Sequence, residues 1–331
     1  NDKGDLYRRV VELQNRGKAE VYGCSYDKIS RFFAAYSSGD RTRSFLKVQD
    51  GCDYKCAYCT IHYARGASRN IPIADIVKEA EEIVAAGQKE IVITGVNTGD
   101  FGRTTGEKFV DLLRALDRVE GVERYRISSI EPNLITDEII ELCASSPKFM
   151  PHFHIPLQSG STKLLGAMRR RYTAEKYRER IQKIRELMPD SFLGVDVIVG
   201  FPGEGEEEFM ESYRLLEEVG ASFLHIFPFS ERPGTPAVAM PNKVQSRIAT
   251  ERVERLEELS NRLHADFARR YLGTERPVLF ESTNRSGEML GYTDNYLRVR
   301  APYNERYINQ ITTVRLIELL DENDIRCEIV G

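Results

Sequence analysis

Between Arg43 and about Pro236 the chain repeats one pattern, a short and nearly continuous apolar run followed by an amphipathic stretch, and this restricts the fold more than any other feature. Six runs read as strands buried on both faces, at residues 45–49, 90–94, 124–129, 152–156, 193–199 and 223–229. Apolar residues at three- and four-residue spacing predict helices between them, at 73–86, 109–119, 136–144, 161–168 with 174–187, and 206–219. Gly87, Gly121 and Gly220 stand where left-handed helix stops fall. Six strand–helix units with right-handed crossovers curl into an α/β fold, a partial (β/α)6 TIM-like barrel. In that architecture the loops after the strands' carboxyl ends form the site.

The first of those loops holds Gly51-Cys52-Asp53-Tyr54-Lys55-Cys56-Ala57-Tyr58-Cys59. Three thiols separated by three and then two residues can aim at one centre, which is metal-ligand spacing. Thiolate sets suit zinc or an iron–sulfur cluster, and closed sites of either kind take four protein ligands. Three cysteines leave one position open, where a small molecule can bind and accept an electron. A zinc knuckle with His62 as fourth ligand is the alternative, with a non-catalytic RNA-binding protein as its functional counterpart. The loop resembles the cluster loop of the radical S-adenosylmethionine (SAM) superfamily, Cys-x3-Cys-x-aromatic-Cys, with Tyr58 as the aromatic. That resemblance implies that Cys52, Cys56 and Cys59 hold a 4Fe-4S cluster whose free iron takes the amino and carboxylate groups of SAM, with Tyr58 near the adenine.

The same resemblance guides the other strand ends. Thr94, Gly95 and Asn97 occupy the place of a segment that binds the SAM amino group through its backbone, with Asn97 replacing the usual acid. Glu131 is read as a contact to the SAM ribose or amino group, or as a loop acid or helix cap. Gln158 and Ser159 precede a helix that Ser161 can cap, and Gln158 is the better binding residue. Val199 and Gly200 open a glycine-containing segment expected against the adenine. Arg169, Arg170 and Arg171 end a helix, either as solvated dipole partners or as contacts to RNA phosphate. His152 and His154 alternate along the fourth strand so that one can point inward, and both are read as packing residues.

A chain of 331 residues with 41% hydrophobic and 30% charged residues can bury a sizeable core and has room for more than one domain. A net charge of −4 confines any RNA-binding surface to a local patch. No apolar run is long enough for a membrane span, which makes a cytoplasmic location the default. Six cysteines, three in one loop, are not a disulfide framework. Residues 1–40 are expected to be a remnant of an amino-terminal domain: helices at 6–16 and 26–36, a strand at 19–23, a packed Cys24 and a linker at 37–40. The barrel spans 41–240, a long connecting helix 241–272, and a small antiparallel β-barrel 273–331. Tyr292, Tyr296, Arg298 and Arg300 suit an oligonucleotide-binding surface there. Ten acids against seven arginines in that segment weaken its attraction for RNA. Cys143 and Cys327 have no ligand-spaced neighbour.

Further segments extend the resemblance, among them Lys47-Val-Gln-Asp-Gly-Cys52, Thr94-Gly-Val-Asn97, Met168-Arg-Arg-Arg-Tyr172, Val199-Gly-Phe-Pro-Gly-Glu204 and Gly291-Tyr-Thr-Asp-Asn-Tyr296. Together they are similar to the radical SAM methylthiotransferase family, closer to its MtaB branch than to MiaB or RimO, and the closing barrel resembles a TRAM domain. The resemblance implies methylthiolation at C2 of N6-threonylcarbamoyladenosine 37 in tRNA. One SAM supplies the methyl group, and another is split to a 5′-deoxyadenosyl radical. It also implies a flavodoxin- or ferredoxin-type electron donor, a monomer, and a second, auxiliary cluster held in the full-length protein by an amino-terminal domain. Residues 1–331 by themselves are expected to cleave SAM without completing methylthiolation. A RimO-like protein-modifying activity is the alternative within the family.

Overall fold

The computed structural model describes residues 6–13, 25–37, 42–321 and 323–330. Six parallel strands form the first unit: β1 (Arg43–Lys47), β2 (Glu90–Thr94), β3 (Arg124–Ile127), β4 (His152–His154), β5 (Phe192–Val199) and β6 (Phe223–Pro228). They make two three-stranded sheets, β1-β2-β3 and β4-β5-β6. A parallel bridge from Ser129 to His154 joins the sheets, and the Ile130 N–H donates to the His154 carbonyl at 3.0 Å. Among the described residues β6 does not pair with β1, so the ring stays open at that seam. The partial barrel expected from the strand–helix rhythm is therefore the observed fold.

Helices α1 (Leu6–Leu13), α2 (Ile61–Arg65), α3 (Ile73–Ala85), α4 (Phe109–Asp117), α5 (Asp137–Ser145), α6 (Thr162–Ala167), α7 (Ala174–Leu187) and α8 (Glu206–Glu218) come before β6, α3 to α8 in the crossovers. Their apolar stripes bury Ile76, Leu112, Ile140, Ile181 and Leu216 against the outer faces of the strands. Gly87, Gly121 and Gly220 have positive φ and end helices by leaving the right-handed region. Helix α9 (Ser246–Arg269) lays Leu256, Leu259 and Leu263 on the first core and Phe267 and Ala268 on the second. The second core fills a closed five-stranded barrel ordered β10-β11-β9-β8-β7, built from β7 (Glu275–Arg285), β8 (Glu288–Thr293), β9 (Arg298–Pro302), β10 (Ile311–Leu319) and β11 (Asp324–Ile329). Cys143 and Cys327 pack in the two cores, where burial pushes their thiols up to about 12.

The amino-terminal expectations need one correction. Residues 26–36 are not a helix: one 3-10 turn at Tyr26–Lys28 gives way to extended chain. The carbonyls that a helix would use internally are taken by the barrel. Lys47 donates its N–H to Ala35 O at 3.0 Å and its amine to Phe33 O at 2.9 Å, and Arg69 donates to Arg31 O at 2.8 Å. The strap thus lies along β1, bridged at Tyr36 and Leu46. The strand expected at 19–23, Cys24 and residues 38–40 lie outside the described residues.

Two barrels meet over a buried charge cluster. Arg126 donates to Glu90 at 2.9 Å and to the carbonyls of Thr293 and Asp294 at 2.8 and 2.9 Å. Arg124 reaches the Pro277 and Tyr292 carbonyls at 2.8 and 3.1 Å. Burial and the neighbouring Arg126 lower the Arg124 guanidinium to about 10, so it stays charged at neutral pH. Charged donors to backbone carbonyls make strong hydrogen bonds, and these fix the small barrel across the amino-terminal ends of the strands.

The loop after β1 is held by three consecutive residues. The buried Gln49 amide donates to Gly51 O and Ser68 Oγ, each at 2.8 Å, and its oxygen accepts the Asn97 N–H at 2.9 Å. Asp50 binds Arg69 at 2.8 Å, Lys47 at 3.0 Å and Arg65 at 3.2 Å. Burial works against the Asp50 carboxylate, but Lys47 and Arg69 outweigh it and hold its pKa below the usual value. Gly51 has φ +75°, and a Cβ there would lie 2.0 Å from Ala67 O.

Asp50→Asn leaves Arg69 buried without its charge partner and should cost about 3 kcal/mol, read as a shift in denaturant midpoint. Because the folded pKa of Asp50 is lowered, its contribution is complete above the unfolded value. It fades as pH falls through the folded one, so the wild-type advantage over the variant should vanish only in strong acid. Gly51→Ala should destabilise by at least about 2 kcal/mol, measured in the same way.

Candidate active site

The cysteine loop enters the barrel at the carboxyl end of β1 and is seated from three sides. The Cys52 N–H donates to Gly66 O at 3.0 Å, the Ala57 N–H to Met168 O at 2.9 Å, and the Ala237 N–H to Ala57 O at 2.9 Å. Ala57, Leu164, Met168, Phe201 and Ala237 form a small apolar cluster beneath it. The Tyr54 and Ile61 N–H groups donate to the sulfurs of Cys52 and Cys59, each at 3.4 Å. Arg170 donates to Cys56 Sγ at 3.3 Å. Cys56 is buried, while Cys52 and Cys59 are partly open. Burial pushes the Cys52 thiol up to about 11 and raises Cys56 as well. A metal centre that binds thiolates overcomes this penalty, because its positive charge replaces the lost solvation.

The donor set can be tested against the two centres. Around one zinc ion, sulfurs at about 2.3 Å from the metal crowd close to one another. Among the described residues, His154, Asp196 and His225 are the group whose metal-ligating atoms all lie within 4.8 Å; the three cysteines and His62 do not make such a group. His62 instead packs its ring 3.8 Å from that of Tyr63. Sulfurs of one loop that stay further apart, yet feel one another's charge, fit separate irons of one cluster.

Arg170 is the residue whose place the sequence reading missed. Its side chain is only 4% exposed, bonds Glu131 through a short ion pair, and donates to Tyr58 Oη and Tyr172 Oη at 3.3 and 3.2 Å. A basic run at a helix end signals solvent or RNA, and only the turn at Arg169, with φ +60°, carries Arg170 inward. Arg169 itself is exposed, and Arg171 covers the Tyr54 ring at 4.0 Å. Glu131 therefore faces Arg170 at the barrel mouth, with its carboxyl raised by burial that Arg170 opposes.

The other expected contacts divide. Tyr58 borders the loop with its ring edge on Phe201, centroids 6.4 Å apart. The Asn97 side chain is buried with both polar atoms unpartnered, in the segment expected to meet SAM. Thr94 bonds Leu46 O at 3.2 Å, and Gly95 passes against Gln49. Gln158 adopts φ +58° and continues the ladder beside Val197. Ser159 turns away to Ser212 Oγ at 3.3 Å. Val199 is buried, and Gly200, with φ +81°, approaches Ala249 of α9, where an added Cβ would lie 3.0 Å from the alanine methyl. Tyr292, Tyr296 and Arg298 face the interior between the two barrels, the tyrosine rings stacked at 4.9 Å. Arg298 and Arg300 both pair with Asp324.

Below the mouth lies a cavity of about 550 Å³ between the barrel lumen and the small barrel. His152 and His154 both line it, since residues two apart on a strand share a face. The packing role expected for them is corrected for His154 alone: its ring bonds Asp196 at 2.7 Å, and His225 stands beside it with ring centroids 5.1 Å apart, whereas His152 packs on Tyr296 and Phe192 with centroids 4.1 and 5.9 Å away. Asp196 and His225 carry no local motif that would single them out.

Residues 46–216 match the Radical SAM superfamily. The threonylcarbamoyladenosine tRNA methylthiotransferase MtaB of Bacillus subtilis (strain 168) is 44% identical over 285 residues, 84% of this chain and 63% of that protein. The chain thus spans less than two thirds of that relative's length. The tRNA-2-methylthio-N(6)-dimethylallyladenosine synthase of Wolinella succinogenes is 36% identical over 316 residues, 94% of this chain and 73% of that protein. Among solved structures, the radical SAM methyltransferase TsrM of Kitasatospora setae shares the fold at TM-score 0.50 and 16% identity, covering 74% of this chain and 39% of that one. On the matched residues and these relatives, the chain belongs to the radical SAM superfamily and, within it, to the family of tRNA methylthiotransferases.

Proposed function

We propose that the chain forms the SAM-cleaving and substrate-holding part of a tRNA methylthiotransferase that modifies C2 of N6-threonylcarbamoyladenosine 37. The observation that carries this reading is the loop after β1, where Cys52, Cys56 and Cys59 ring a barrel mouth shared with Glu131 and Arg170. When bound there, a 4Fe-4S cluster supplies one electron to the sulfonium of SAM. The chain's own residues do the rest. Cys52, Cys56 and Cys59 are assigned as cluster ligands. Arg170 holds Cys56 and Glu131 in one arrangement and places a fixed positive charge beside the thiolates. The unpartnered amide of Asn97 is assigned to SAM, together with the backbone of Thr94 and Gly95, the Glu131 carboxylate and the segments at Gln158 and Val199–Gly200. Tyr58 and Phe201 form an apolar wall suited to an adenine.

Binding of tRNA is assigned to the exposed Arg169 and Arg171 at the rim. Tyr292, Tyr296 and Arg298 face the interdomain interior, and Arg300 is matched by Asp324, so the small barrel contributes mainly by closing that chamber. Sulfur insertion through an auxiliary cluster, electron delivery by a flavodoxin or ferredoxin, a monomeric state and a cytoplasmic location complete the proposal. No helix among the described residues is long and apolar enough to cross a membrane.

Anaerobic reconstitution tests the reading. The chain should take up about four irons with a broad charge-transfer absorbance, and with dithionite should convert SAM to 5′-deoxyadenosine. Cys56→Ala should abolish that conversion, and Arg170→Gln should slow it by about 10²-fold or more. One zinc per chain, with no colour and no 5′-deoxyadenosine, would overturn it.

A further inference from the structure

Interior carboxylates of this chain are matched by arginine: Asp50, Glu90, Glu131, Glu204 and Asp324 each face at least one guanidinium. Asp196 is different. Its side chain, 20% exposed on β5, bonds the His154 ring at 2.7 Å, and among the described residues no lysine or arginine pairs with it. A largely desolvated negative charge in a barrel lumen is stabilised by a positive partner. His225 completes a group of three whose ligand atoms all lie within 4.8 Å of one another.

Strand register places the three together. Asp196 pairs with His225 across β5 and β6, and His154 pairs with Gly194, which lies two residues before Asp196 on the same face of β5. Three consecutive strands thus present one ligand each to the lumen. Arg43 and Arg126 also line the cavity, but Glu281 and Glu90 stand 2.9 Å from them, one acid to each. Desolvation lowers the pKa of both His152 and His225; after it, Arg126, His154 and Arg43 are the leading charges on His152, whereas His154 and Asp196 are those acting on His225. The field at the trio is therefore set by its own carboxylate.

We propose that His154, Asp196 and His225 form a site for a divalent transition cation of the zinc or ferrous class, separate from the cysteine loop, that ties β6 to β5 and β4 beside the open seam. Two imidazoles and one carboxylate suit zinc and iron(II), and they leave further coordination positions facing the cavity. Ligand atoms about 2.1 Å from a tetrahedral ion stand about 3.4 Å apart, so His154 and Asp196 separate by less than about 1 Å and the exposed His225 ring swings inward. The cation takes the place of the proton held between His154 and Asp196. Strand β6 gains most. It pairs with β5 and, among the described residues, not with β1, and a cation bound by His225 crosslinks this edge to its two neighbours in the sheet.

Metal counting on the cluster-loaded chain tests the proposal. After anaerobic dialysis against zinc, the chain should hold about one zinc in addition to about four irons, and manganese should compete poorly for that zinc position. His225→Leu and Asp196→Asn should each weaken zinc binding at least about 10²-fold with the iron content unchanged. Zinc at about a hundredfold above its Kd should raise the melting temperature of the wild-type chain by at least about 5 °C, a rise that both variants lose. Zinc uptake no greater than that of the variants, or zinc bound only in exchange for iron, would overturn the proposal. So would a melting temperature that zinc leaves unchanged. The difference between wild type and His225→Leu reads the lumen site whether or not the cysteines hold iron, so its failure leaves the SAM-cleaving reading untouched.

Discussion

One carboxylate, that of Asp50, closes the loop on which the site is built. With its side chain 6% exposed it gathers Lys47 from the end of β1, Arg65 from α2 and Arg69 from the returning chain. A buried charge with one partner would be a liability, but three cations offset the desolvation and keep it ionised. Around it, Gln49 commits its amide to Gly51 and Ser68 and its oxygen to Asn97, so the loop after β1 and the loop after β2 are set by one side chain. The thiols follow from that frame. They face the barrel mouth because the backbone on both sides of them is already tied down.

A second buried charge cluster decides what lies below. Glu90, Arg124 and Arg126 belong to neighbouring strands, and the two arginines reach past their own sheet to four carbonyls of the small barrel. Two cations share one acid, and the backbone oxygens supply the remaining partners. The small barrel is thereby docked with Tyr292 and Tyr296 turned toward the lumen. Aromatic and arginine residues on a small β-barrel suggest a nucleic-acid surface when read alone. In the folded chain most of that set forms the floor of an internal chamber instead.

Much of this was legible in the sequence. The strand–helix rhythm marked all six barrel strands, because strands buried on both faces must be continuously apolar. The three cysteines were visible because their spacing is local and their chemistry narrow. The extended strap at 29–37 was not legible, since its helix-like spacing is overruled by Lys47 and Arg69, which reach its carbonyls from elsewhere in the chain. Arg170 was hidden among solvent-like arginines, because a single positive-φ residue before it sets its direction.

Sequence alone determined the barrel class, the family and the three thiols, all of which depend on short-range periodicity or on spacing within one loop. Tertiary structure alone decided that Arg170 joins Cys56 to Glu131, and that His154, Asp196 and His225 share one wall. Those groups come from different strands and loops, and nothing along the chain records which residues strand pairing brings face to face. The lumen exists only once β4, β5 and β6 align in register and the small barrel closes its floor.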